Sequence, residues 1–251
     1  MNTPQIITAA IAVVGVVLLV LALLAQRKYA AMRATRTLTV AELAARPPGD
    51  GLTCEIKGMA EPGPAGQLKG PLSGRSCVWF HAKVEERWRE YHEDSNGRRH
   101  QSTHQRTLRE DTSPPHFAVR DTTGTVVVNL DGTTVDSPVR SHHHAEPARR
   151  GDGLAGMAIE FLSNKRDHEI VYNEAIVPPG HAIYALGKGA PDPRTGAVTM
   201  VEPDSGPYIV STRTEEQLSR KAVQRMRLFY IGGGVLLLGG GIALAVITII
   251  G

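Results

Sequence analysis

Cys77-Val78-Trp79-Phe80-His81-Ala82-Lys83-Val84-Glu85-Glu86-Arg87-Trp88-Arg89-Glu90-Tyr91 is the stretch that sets the fold. It is rich in β-branched and aromatic residues and alternates in its first half, as a half-buried strand does. Its second half carries charge at most positions. Asn96-Gly97 then supplies a strong two-residue hairpin signal, and Gln101 to Leu108 returns antiparallel. The expected product is a hairpin whose core lies at its base. Its tip is charged on both sides and stands away from that core.

Short strand signals continue on either side. Thr53 to Met59 alternates and runs into a Pro/Gly-rich stretch, Glu61 to Gly66. His116 to Val119 and Thr125 to Val128 flank a turn at Asp121 to Gly124. Glu169 to Tyr172 and His181 to Gly187 are separated by Pro178-Pro179-Gly180, and Pro207 to Val210 is the last. Many short strands at close spacing argue for a mostly-β, antiparallel small barrel or sandwich over residues 38–211. Thr39-Val40-Ala41-Glu42 and Thr212-Arg213-Thr214-Glu215 fit capping boxes, so short helices are expected at both ends of the domain. The second would form a juxtamembrane helix over 212–227, with Leu218, Ala222 and Met226 on one face. Residues 137–153 are polar and read as a loop.

The ends of the chain differ from this middle. Residues 6–25 form an uncharged apolar run, and 228–250 form another that opens with Phe229 and Tyr230. Twenty residues of helix rise about 30 Å, the thickness of a bilayer core. No basic segment precedes Ile6, so the first run reads as a membrane helix and not as a cleaved signal. The fold class expected is therefore two transmembrane helices flanking a β-rich domain, with residues 1–5 a short outer terminus. Arg27, Lys28, Arg33 and Arg36 follow the first run; Arg220, Lys221, Arg225 and Arg227 precede the second. By the positive-inside rule the domain is cytoplasmic and both termini are outside. The same eight side chains suit anionic lipid headgroups. Gly232, Gly233, Gly239 and Gly240 would let another helix approach closely, either the first span or a second copy in a homodimer.

Net charge is +3, too small to argue for nucleic acid. The two cysteines, Cys54 and Cys77, read as reduced, buried thiols. No nucleophile elbow, Walker A, zinc-protease or dinucleotide motif is present, and no cofactor is implied. Asp121-Thr122-Thr123-Gly124 reads as a turn. Two candidate sites remain. Trp88 and Tyr91, interleaved with Arg87, Arg89, Arg98 and Arg99, suit a protein partner, for which strand addition is one mode. His142-His143-His144 is a weak metal candidate: a specific site needs a further ligand and a supporting shell, for which His116, His168 and Glu146 are the possible partners.

These motifs resemble the GIDE, or "beside a membrane", domain. The residues carrying the resemblance are Cys77 to Phe80, Val84 to Tyr91, Phe117 to Gly124, Glu174 to Gly180 with Ile183 to Gly187, and Pro207 to Ser211. The best-known members are MULAN/MAPL-type ubiquitin ligases of mitochondrial and chloroplast outer membranes, in which a RING finger follows. The resemblance implies a membrane-proximal β-domain and suggests a bacterial member acting in stress or signalling. It does not carry ligase activity here, because a RING needs eight Cys/His ligands. The expected function is a non-catalytic binding, sensing or scaffold module. The alternative is a component of ubiquitin-ligase-type protein modification, and the third reading is metal sensing through the histidine run.

Overall fold

A computed structural model describes residues 3–47, 51–93, 99–148, 165–192 and 195–250. The Asn96-Gly97 turn lies outside them. Helix α1 (Thr3–Ala34) leads into a five-residue helix α2 (Val40–Ala44), whose capping box forms between Thr39 and Glu42. Twelve strands follow: β1 (Leu52–Glu61), β2 (Leu68–Lys69), β3 (Ser76–Cys77), β4 (Trp79–Glu93), β5 (Arg99–Thr112), β6 (His116–Arg120), β7 (Thr125–Asn129), β8 (Val139–Pro147), β9 (Lys165–Val177), β10 (Ala182–Pro191), β11 (Val198–Val201) and β12 (Ile209–Ser211). Helix α3 (Glu215–Ile250) ends the described chain.

Five strands close into a ring. The order β1-β6-β7-β11-β10 returns to its start because β10 pairs with β1 from Leu52↔Gly189 to Met59↔Ala182. Closure removes free sheet edges. The β7–β11 pairing is parallel, so the barrel is not wholly antiparallel as expected. Inward positions alternate along each strand and fill the interior with Ile56, Phe117, Val119, Val126, Val128, Met200 and their neighbours. Burying one such side chain contributes about 1.5–3 kcal/mol. Gly58 sits where β1 crosses β6, and a side chain there would collide with the Arg120 carbonyl.

A second sheet, in the order β5-β4-β9-β8, extends from the barrel. Its base shares the core through Val78, Trp79 and Val177. Its outer part does not. Every β5 residue from Thr103 to Glu110 is exposed, and among the described residues β5 and β8 are open edges.

Two sequence expectations are overturned. The segment read as a loop over 137–153 holds β8, paired with β9 from Val139↔Ile176 to Pro147↔Glu169. Residues 149–153 lie outside the described part. The expected pair of flanking transmembrane helices is corrected to one candidate. Among the described residues, Ala10–Ala34 is the one helix long and apolar enough to cross a membrane, by length and composition. Helix α3 opens with the charged stretch Glu215 to Arg227 and carries six glycines between Leu228 and Ile250. It lies along α1, where Tyr230 donates to Gln26 at 2.7 Å and Leu237 packs over Gly15.

The helices are clamped to the barrel wall. Met32 of α1 and Leu218 of α3 meet Tyr184, Leu186 and Ile209 in a small second core. Lys57 and Glu215 are joined at 2.6 Å, and this bond raises the lysine's pKa. Beneath them Glu55 is buried, yet its carboxylate accepts from Tyr184 Oη at 2.5 Å and Thr37 Oγ1 at 3.0 Å. Burial, reinforced by the Glu55 bond, pushes the Tyr184 hydroxyl well above its ordinary pKa. The capping box at the start of α3 is shifted from its expected place. Thr214 and Gln217 exchange the bonds expected of Thr212 and Glu215.

Candidate functional site

Strand β4 alternates without a bulge of its own. The register shifts beside it place the extra residues on β5, at Leu108, and on β9. Residues 84, 86, 88 and 90 therefore share one face, and 85, 87, 89 and 91 the other. The proposed partner-binding set divides accordingly. Trp88 lies on the first face; Arg87, Arg89 and Tyr91 lie on the second. Arg98 is outside the described residues, and Arg99 opens β5.

The second face holds a charge ladder. Glu85, only 6% exposed, lies 2.8 Å from Lys83 and 2.9 Å from Arg87. Hydrogen bonds from Lys83 and then Arg87 keep its carboxyl below the usual range. Arg87 is therefore engaged within its own strand, which weakens the reading of it as a cation held ready for an acidic partner.

The first face collects aromatic rings. Trp88 stacks on His104 of β5, with ring centroids 5.5 Å apart and planes 17° apart, and meets His168 of β9 edge-on at 6.1 Å. Its indole N–H donates to Glu90 at 2.9 Å. Glu86 lies 2.5 Å from Arg106. His168 Nε2 is 2.8 Å from Glu86, at ion-pair distance but off the line of a hydrogen bond. Further along the same face, Tyr172 sits opposite Val84. Tyr172 stacks on His144 and donates its hydroxyl to Glu146 at 2.7 Å. The result is a strip across four strands in which Trp88, Tyr172 and His168 are half-buried and His104 and His144 are exposed. Sequence reading missed the β9 and β8 members. The period-two spacing of His168, Ile170, Tyr172 and Glu174 is the signal that points to them.

At the base of this sheet Glu174 is 2% exposed. It accepts from the Leu72 amide at 2.6 Å, the Ser73 amide at 3.3 Å, the Ser141 hydroxyl at 2.5 Å and the Ser73 hydroxyl. Burial raises its pKa, but these donors outweigh burial and hold the carboxyl below the ordinary range. One carboxylate thus ties the loop between β2 and β3 to β8 and β9.

Other sequence candidates have structural roles. Asp121 accepts from the Val40 amide at 2.8 Å, and Thr123 from the Ala41 amide at 3.0 Å, so the Asp-Thr-Thr-Gly turn caps α2. Burial pushes the Cys54 and Cys77 thiols up to about 11, which leaves both as neutral core groups. Among the described residues, no three His, Cys, Asp or Glu side chains converge as a metal cluster. Gly233 abuts the Gly15 carbonyl, and Gly232 and Gly240 approach Leu18 and Ile11; Gly239 faces open space. Three of the four glycines named for a dimer therefore lie against α1. Of the candidate headgroup cations, Arg27, Arg220, Arg225 and Arg227 are exposed and Lys221 is half-buried. Arg33 stacks over Tyr29, and Arg36 lies 3.6 Å from Glu42.

A sequence model of the GIDE family, described as E3 ubiquitin ligase, matches residues 87–246. The chain belongs to the GIDE family. Neither the curated proteins nor the solved structures contain a match. The GIDE segment takes in the outer, C-terminal part of β4, all of β5 to β12 and most of α3. The closing strand β1 and the clamp from α1 lie before it, so the barrel is completed by residues outside the matched region.

Proposed function

We propose that this GIDE protein is a membrane-anchored, non-catalytic binding module. Its closed barrel holds the open four-stranded sheet near the bilayer surface for contact with a partner protein. The observation that carries this reading is the strip built on the half-buried Trp88 and the exposed His104, at the β5 edge of the outlying sheet. Large aromatic side chains anchor protein interfaces, and Trp88 lies on the outlying sheet, apart from the barrel core. Helix α1 supplies the anchor. The basic residues Arg27, Lys28, Arg33 and Arg36 at its domain-side end favour the cytoplasmic side for the domain.

The family's description as E3 ubiquitin ligase points to a second reading, in which the domain selects substrates for ubiquitin-type modification. These 251 residues contain two cysteines, both neutral and buried, so the domain's part in such a reaction would be recognition. Photo-crosslinking in native membranes tests the binding reading. Probes replacing Trp88 and Ser102, which share a face, should capture the same protein, and a probe at Thr122 on the barrel turn should not. Capture from Thr122 alone would remove the support for the sheet.

A further inference from the structure

The three adjacent histidines are not equivalent once they lie in a strand. Alternation along β8 sends His143 to one face and His142 and His144 to the other. Their contacts agree. His143 Nδ1 is 2.7 Å from the Asn173 side-chain oxygen, which holds that ring to its own face. His142 and His144 have ring centroids 6.3 Å apart, and among the described residues no strand pairs with β8 on its outer side.

We propose that His142 and His144 form a two-histidine chelate for a first-row divalent cation of the nickel, copper or zinc class, which Glu146 would complete only by leaving Tyr172. Imidazole nitrogens bind these metals at about 2.0–2.1 Å, which puts two ring centroids on one ion roughly 5 Å apart. Small side-chain rotations close the remaining gap. Imidazole suits these ions, and affinity rises toward copper along the first row. Glu146 is the next residue but one on the same face, with its carboxylate held by Tyr172. Tyr172 also stacks against His144 and restrains that ring, the supporting role that metal histidines ordinarily need. Taking Glu146 as a ligand would release the Tyr172 hydroxyl, so occupancy would be felt on β9 and along the strip that includes Trp88. Since no third ligand is already in place, water fills the remaining coordination positions. That suits an exchangeable ion better than a permanent structural one.

The test is calorimetric titration of the full chain, without any affinity tag, in lipid nanodiscs, using nickel and then zinc. One ion per chain is expected. His142→Ala and His144→Ala should each weaken binding at least tenfold, and Glu146→Gln several-fold. His143→Ala and His104→Ala should leave it within twofold. Unchanged melting temperatures of the ion-free variants show that the edge strand still forms. A chain that takes up no ion, or a His143→Ala variant that loses as much as His144→Ala, overturns the proposal.

Discussion

The barrel and the four-stranded sheet are built from similar strands and solve opposite problems. In the barrel every edge is paired, Phe117 and Val119 are fully buried, and the one deep carboxylate, Glu55, is bonded to Tyr184 and Thr37. In the outer sheet the residues of β5 are exposed on both faces, Glu85 and Glu86 are matched to cations within the sheet, and a Trp88–His104 stack lies at the surface. Closure gives stability and hides the backbone. The open sheet gives up part of that stability and keeps an edge available. Its charges blunt that edge against indiscriminate pairing. The bulge at Leu108 adds a local twist. The contrast teaches that the binding surface here is an outgrowth of the fold, held in place by it and adding little to its core.

The largest effect should come from the barrel interior. Phe117→Ala is expected to cost about 3–5 kcal/mol, as for large aromatic truncations in cores, whereas Leu108→Ala on the ribbon should stay within about 0.5 kcal/mol. Denaturant unfolding of the full chain in detergent measures both. Equal losses would erase the distinction between the two regions.

Next in size is the joint between them. Glu174→Gln should cost about 1–3 kcal/mol, because several donors lose a charged acceptor. Its pH signature is specific. The folded-state pKa of Glu174 is lowered, so its contribution is complete above the ordinary carboxylate value of about 4.3 and disappears as pH falls through the lower folded value. The wild type should therefore lose stability more steeply in acid than Glu174→Gln. Parallel acid profiles would deny the carboxylate its role in tying the sheet down.

Smaller still is the helix clamp. Tyr230→Phe removes the bond to Gln26 and should cost about 0.5–1.5 kcal/mol, read from thermal unfolding. Trp88→Ala sharpens the comparison from the other side. It should lower stability by no more than about 1 kcal/mol, on the scale of an aromatic pair, while abolishing capture of the partner. A large stability loss would make Trp88 a structural residue after all.

Much of the local structure was readable from residue types. The Thr39–Glu42 capping box forms as the spacing requires, and the run from Trp79 to Tyr91 is one strand paired to its hairpin partner. What was not readable depends on distant contacts. Nothing near Leu52 announces Gly189 as its partner, and nothing in Val127 announces a parallel neighbour at Thr199. The strand at His142 to His144 was hidden because polar residues score poorly for strands, although an exposed edge tolerates them. The split of Trp88 from Tyr91 was available in principle, since three residues along a strand is always the opposite face. At the C-terminal end, the apolar run 228–250 read as a second span, whereas among the described residues Ala10–Ala34 is the one candidate.

The most direct test of barrel against open sheet is hydrogen exchange, followed by mass spectrometry, on the purified chain in nanodiscs. Amides of β10, paired on both sides within the closed ring, should exchange slowest. Outward amides of β5 from Thr103 to Glu110 should exchange orders of magnitude faster. Protection on β5 equal to that on β10 would mean that the edge is already covered, and would contradict the account.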